Sequence, residues 1–224
     1  MPHVLDLHRG YSSIESLFYD NMIAPGTLAA SRPILDEVSS GTRPGGSVLD
    51  VGCGGGQALV SLSHSRPDLR LVGADPSAAL IRRAASRVPA GTRIGLVEAS
   101  ALDLPFADKS FDAVVSLFAI KHWPDQHQGL AECVRVIRPG GRLIVTELDA
   151  LADRARWRSL VDLTRLPAPL CGAFAAAALG PIVRRLIQAD AVRQQLEELR
   201  VYGVEVSRDP WLAIVRFDAT AANR

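Results

Sequence analysis

The chain has 224 residues, 48% hydrophobic and 22% charged, which is enough apolar material for one sizeable core in a single domain over 1–224 and excludes a disordered chain. Its 25 basic and 24 acidic residues leave a formal net charge of +1, and all but two of the basic residues are scattered arginines. That balance carries no electrostatic footprint of a nucleic-acid binder, so a small-molecule partner is expected.

Cys53, Cys133 and Cys171 share no CxxC spacing and form no even set. This argues against a metal site or a disulfide framework and suits a cytoplasmic location. Within positions 1–30, His3, Asp6, Arg9, Glu15 and Asp20 interrupt any apolar stretch, so no export signal is predicted. Residues 10–40 read as a helical lead-in broken at Pro25-Gly26. From 47 to about 148, short Val/Ile/Leu-rich runs alternate with longer amphipathic stretches, the pattern of a parallel sheet covered by helices. The strands fall at 47–51, 70–74, 93–98, 112–117 and 142–148, and the helices at 57–65, 77–88 and 126–137. Pro67, Pro89 and Pro139 stand just beyond the helices as stop signals. The text from 150 to 200 is mostly helical, and its apolar run at 166–183 is cut by Pro167, Pro169 and Pro181. No membrane-spanning helix is therefore predicted, nor a membrane partner. Two strands follow, 201–207 and 211–217, joined as a hairpin through Arg208, Asp209 and Pro210.

The chemistry concentrates in Val48-Leu49-Asp50-Val51-Gly52-Cys53-Gly54-Gly55-Gly56, a buried-type strand ending in a Gly-rich turn that opens a helix. Glycines permit positive φ and close approach of a ligand to the backbone, and the free N–H groups of a helix start favour partial negative charge. A nucleotide-like ligand is implied. Gln57 stands where the dinucleotide fingerprint has its third glycine, and Asp50, two residues before Gly52, would repel a pyrophosphate. That carboxylate suits a positively charged ligand. A second acid, Asp75 in LVGADPS, follows the second strand, where its two oxygens can take both ribose hydroxyls. It is equally placed to accept a backbone N–H at the next helix start.

VLDVGCGGG at 48–56 resembles the first motif of the class I S-adenosylmethionine-dependent methyltransferases. ALDLPFADKSFDAVVS at 101–116 and VRVIRPGGRLIV at 134–145 are similar to later segments of the same family, so the resemblance covers roughly 45–148, the expected cofactor-binding core. It implies a Rossmann-like α/β fold, a seven-stranded mainly parallel sheet with an antiparallel last strand and a helical cap. It also implies S-adenosyl-L-methionine as cofactor and S-adenosyl-L-homocysteine as product. Carried over residue by residue, the resemblance assigns Asp50, Gly52, Gly54 and Gly56 to the methionine part and Asp75, Pro76 and Ser77 to the ribose. Ser100, Ala101 and Leu102 border the adenine, Leu117 belongs to the same set, and Tyr19, in a Tyr-Asp pair common among relatives, closes over the cofactor. Many relatives have Asp where this chain has Ser100, so a carboxylate acceptor for the adenine amino group is missing.

His122 and Trp123 follow the fourth strand at the carboxyl edge, where open α/β sheets bind ligands. His122 is the candidate general base for a hydroxyl acceptor, because an imidazole titrates near neutrality. Trp123 can equally pack beneath the next helix, and Tyr11 and Tyr19 in the lead-in either close over the cofactor or pack within the fold. Lys121 is expected to face water, Cys53 to act as a small filler, and Glu147 and Asp149 to stand beside the acceptor site. The lead-in and the 150–200 stretch, with Trp157 and Phe174, are expected to cap an acceptor pocket for a small apolar molecule. Two other functions compete with methyl transfer. One is a noncatalytic module of the same fold, and the other is a nucleotide-dependent oxidoreductase, against which Asp50 and Gln57 argue. Monomer and homodimer both remain open.

Overall fold

The computed structural model describes residues 17–167 and 188–222. Tyr11, Cys171 and Phe174 lie outside the described residues, as does the side chain of Tyr19. Seven strands form one sheet in the order β3-β2-β1-β4-β5-β7-β6. They are β1 (Ser47–Val51), β2 (Arg70–Asp75), β3 (Ile94–Glu98), β4 (Phe111–Leu117), β5 (Ile137–Leu148), β6 (Val201–Arg208) and β7 (Ile214–Ala221). The first five run parallel, and β7 alone runs against its neighbours β5 and β6. This is the expected fold class.

The helices are α1 (Ala24–Gly41), α2 (Gln57–Ser65), α3 (Ala78–Arg87), α4 (Gln126–Val136), α5 (Arg154–Asp162) and α6 (Ala189–Glu197). β1 is buried at all five positions because it is central and covered on both faces. Its side chains alternate as the pleat requires. Val48 packs with Ile34 and Val38 of α1 and Leu59 and Leu62 of α2, while Leu49 and Val51 face Leu130 and Val136 of α4 and Val192 of α6. The same alternation turns Asp50 toward the α1 and α2 side. Among the described residues no helix is long and apolar enough to cross a membrane.

Three boundaries differ from the sequence reading. Pro25-Gly26 does not break the lead-in; it lies in the first turn of α1, where proline's missing N–H costs no hydrogen bond. A π-helical turn, Tyr19–Ile23, precedes it. The second hairpin strand begins at Ile214, not Trp211, because Asp209 Oδ1 accepts the N–H groups of Trp211 and Leu212 at 2.7 Å and holds them in the turn. β5 reaches back to Ile137, which pairs with Phe111 before the register shifts at the Pro139-Gly140-Gly141 turn. The 150–200 stretch also divides. α5 sets Trp157 and Leu160 against Ala30, Phe118 and Ile214 at the carboxyl ends of the strands. α6 instead buries Val192 and Leu196 in the sheet core beside α4, and so belongs to a covering layer.

Candidate functional site

The carboxyl ends of β1, β2 and β4 meet at the Gly-rich turn. Gly52 and Cys53 donate their N–H groups to Ala74 O at 2.7 and 3.1 Å, which ties the turn to β2. Gly52 has φ +79, and a Cβ there would collide with Ala119, so the β4 loop closes over the glycine. Gly56 caps α2 in the left-handed region at φ +77, with Ala84 of α3 3.0 Å from where its Cβ would lie. Its role is the close approach of two helices, while Gly52 and Gly54 line a small cleft of about 40 Å³.

Asp50 and Leu117 line that cleft together with Gln57 and, from α1, Ala24, Thr27, Leu28 and Ser31. Asp50 is 2% exposed, and its Oδ1 has no hydrogen-bond partner. Burial, reinforced by the charge of Asp75, pushes its carboxyl up to about 7. A buried carboxylate without a partner is costly, and a cationic ligand group would supply the missing charge and donor. The residues present therefore fit a sulfonium and ammonium ligand. Burial, with Asp50 and Asp75 nearby, also pushes the Cys53 thiol well up, so it stays protonated as a filler.

Asp75 ends β2 at 7% exposure. Its Oδ2 accepts the Gly54 N–H and its Oδ1 the Ser77 N–H, both at 2.9 Å, so it bridges the Gly-rich turn and the start of α3. Ser77 itself caps α3 by accepting the Leu80 N–H. Each Asp75 oxygen keeps a second acceptor site, so bracing the loop and receiving a ribose are compatible. Burial raises its carboxyl, and the two backbone N–H groups counteract part of that rise.

Pro76 and Ser77 continue this turn, and Ser100, Ala101 and Leu102 follow β3, the neighbouring strand. Ser100 Oγ accepts the Leu102 N–H at 3.1 Å, so part of its acceptor capacity is spent locally. The segment is held from α4: Gln128 Nε2 donates to Leu102 O at 2.9 Å, and Arg135 Nη2 donates to Leu104 O at 2.9 Å. None of these β3-edge residues lines the cleft around Asp50.

His122 closes a 3-10 turn, Ile120–His122, with its N–H on Ala119 O at 2.9 Å. Trp123 is 7% exposed, and its ring fills the space above Gly129, so packing accounts for it. Lys121 does not face water. Its Nζ donates to Glu147 Oε1 at 2.9 Å and to Phe118 O at 2.5 Å, because the fully buried Glu147 requires a cation. Glu147 is further occupied by the N–H groups of Lys121 and Leu148. Asp149 lies within 3.4 Å of Arg208 and 3.7 Å of Arg156. Phe118 has φ +59, a strained conformation for an aromatic residue.

Sequence reasoning missed the α1 wall and Asp20, and read Gln57 only as an absent glycine. Gln57 in fact donates to the Asp20 carboxylate at 2.6 Å. A signal was present in Arg83 and Arg87, which lie four apart on one face of α3 and ask for a common acid.

Residues 49–145 match a methyltransferase domain family. The chain is 35% identical over 132 residues to an O-methyltransferase of Aspergillus nomiae, covering 58% of this chain and 57% of that protein. It is 40% identical over 103 residues to a demethylmenaquinone methyltransferase of Thermus thermophilus, covering 45% and 46% respectively. The chain thus spans about half the length of the curated relatives it matches. A crystal structure of an S-adenosylmethionine-dependent methyltransferase from Aquifex aeolicus superposes with a TM-score of 0.68 at 18% identity, covering 95% of this chain and all of that one, a likeness of fold.

Proposed function

The chain belongs to the class I S-adenosylmethionine-dependent methyltransferases, and from that premise we propose that it transfers a methyl group to a small, apolar acceptor. The observation that carries the reading is the unpartnered Asp50 oxygen, buried behind the Gly-rich turn in a chain of this family. Asp50, Gly52 and Gly54 would hold the methionine part. Asp75, Pro76 and Ser77 would hold the ribose, and Ser100, Ala101 and Leu102 would border the adenine. Leu117 would line the cleft, Gly56 would fix the start of α2 behind it, and Tyr19 would cover it. When bound, the cofactor supplies an activated methyl on a sulfonium.

The chain's own task is then to orient the acceptor and exclude water. The lead-in helix α1 and α5 form the proposed cap. Support comes from their joint packing on Phe118 and Ile214, which gives the carboxyl edge an apolar cover. For a hydroxyl acceptor, His122 would take the proton, its turn lying directly after β4. A monomer or a homodimer in the cytoplasm accommodates this activity equally.

Calorimetric titration with S-adenosylmethionine and S-adenosylhomocysteine, on wild type and Asp75→Ala, tests the cofactor half. Binding that weakens about tenfold in the variant is expected from the loss of ribose hydrogen bonds. Absence of binding by folded wild type contradicts it. Isotope-labelled methyl transfer to a panel of phenols, hydroxyquinones and apolar amines tests the acceptor half. With a working acceptor in hand, His122→Ala should lower kcat on the order of a hundredfold without changing cofactor affinity. Unchanged turnover removes His122 from that role.

A further inference from the structure

We propose that Asp20 is a positioning residue for the cofactor loop, and that Gly55 is a glycine because the Asp20 carboxylate occupies the space its Cβ would take. The proposal rests on the reading of residues 52–57 as the loop that receives the cofactor.

Gly55 differs from its neighbours. Gly52, Gly54 and Gly56 all have positive φ, and Gly55 does not, so backbone conformation does not explain its missing side chain. A Cβ built on Gly55 collides with Asp20 Oδ1 and comes within 2.5 Å of Arg87 Nη1. The carboxylate is no loose chain end that can swing aside. Asp20 is 3% exposed and held from several directions. Its Oδ1 accepts Gln57 Nε2 at 2.6 Å, and its Oδ2 accepts Arg83 Nε at 2.6 Å and the Arg87 guanidinium. Arg87 Nη1 then donates to Gly55 O at 3.0 Å, closing a ring from the lead-in through α3 to the loop backbone.

The groups gathered here are those that shape the cleft. Gln57 lines it, and Gly55 lies between the cleft-lining Gly54 and the cap residue Gly56. Burial alone would raise the Asp20 carboxyl, but its bonds to Arg87, Arg83 and Gln57 outweigh that and hold it below the usual range, so it stays charged. The π-helical turn that carries Asp20 and the start of α1 are tied to the acceptor-side cover. Met22 O accepts the Arg165 N–H at 2.8 Å, and Gly26 abuts the backbone of Leu163 and Thr164. Asp20 therefore sets the loop through Gln57 and Arg87 and does not itself line the cleft.

The test is a double-mutant cycle read as the Kd for S-adenosylhomocysteine by calorimetry, on wild type, Asp20→Ala, Gly55→Ala and the double variant. Each single substitution should weaken binding about tenfold, and the double should be no more than about threefold weaker than the worse single, because removing the carboxylate makes room for the new methyl. A double variant weakened by the full product of the two losses, about a hundredfold, overturns the proposal. So does wild-type affinity in Asp20→Ala. Arg87→Met, at a half-exposed side chain, keeps the question open to test if Asp20→Ala fails to fold. With Asp20 still held by Arg83 and Gln57, the folded variant should bind several-fold more weakly, and undiminished affinity refutes the positioning role. Once an acceptor is known, KM for S-adenosylmethionine should rise in these variants while KM for the acceptor stays put. Wild type that binds no cofactor removes the cofactor reading and this proposal together, whereas wild-type binding with additive variants removes only the latter.

Discussion

Two groups of acids, one at each edge of the sheet, are paired in opposite ways. At the amino edge, Asp112 accepts from Arg43, Arg138 and both the N–H and hydroxyl of Ser47, and Glu37 pairs with Arg142 and Arg216. At the carboxyl edge, Asp50 has an oxygen with no partner, and Asp75 accepts the backbone N–H groups of Gly54 and Ser77. Burial alone would raise the Asp112 carboxyl, but its bonds to Arg43, Ser47 and Arg138 hold it at about 2, whereas burial takes Asp50 to about 7. The larger hollow, about 400 Å³, lies at the amino edge, yet the charged groups that line it already satisfy one another. Of these two hollows, size alone does not single out the one with an unpaired acid. An incompletely paired acid marks the place where a ligand supplies the missing charge.

Breaking the contrast at Asp50 should have the largest effect. Asp50→Asn removes the charge that answers the cofactor's cation, so affinity for S-adenosylmethionine should fall on the order of a hundredfold by calorimetry. The ligand-free variant should melt above wild type at pH 8, because no buried carboxylate then has to ionise. At the amino edge the pattern reverses. Asp112→Asn should cost about 2–4 kcal/mol in a denaturant titration, since it leaves arginines and a buried N–H short of their acceptor. Its cofactor affinity should remain that of wild type.

The stability of the ligand-free protein against pH sharpens the same contrast. Asp50's folded pKa of about 7 lies above its ordinary 3.8, so the native state holds a proton that the unfolded chain has released between those values. Stability should decline as pH climbs through that window and level off above it. Asp112 is depressed from 3.8 to about 2, so its contribution is complete above 3.8 and disappears as pH falls through about 2. Urea midpoints across pH should show both slopes, with Asp50→Asn reducing the upper one and Asp112→Asn the lower. The smallest effect belongs to Glu37→Gln. Its side chain is 37% exposed, and losing its ion pairs should cost less than about 1 kcal/mol in the same titration.

Much of this architecture was legible before the coordinates. β1 and α2 fall at the residues read from the sequence, because a short Val/Leu-rich run and a Gly-rich turn are local signals. The strand order was not local and came from the family resemblance. What escaped the sequence depended on partners far along the chain. Asp20 meets Arg83 and Arg87 across more than sixty positions, and nothing near residue 20 announces that contact. Lys121 looked like a surface lysine until the fold set Glu147 beside it. Pro25-Gly26 has the composition of a break, but tertiary packing of Gly26 against Leu163 and Thr164 draws it into the helix start. Asp50 was legible as an exception, an acid between Leu49 and Val51 in a buried strand.

The most direct test of that exception is proton release on cofactor binding, measured by titrating S-adenosylmethionine in buffers of different ionisation enthalpy at pH 6 and pH 8.5. With Asp50 titrating near 7, about one proton should leave per cofactor bound at pH 6, whereas at pH 8.5 none leaves Asp50 and the cofactor's α-amino group, with a pKa of about 8, takes one up instead. Binding with no proton released at pH 6 would contradict the claim that the buried Asp50 carboxylate receives the cofactor's positive charge.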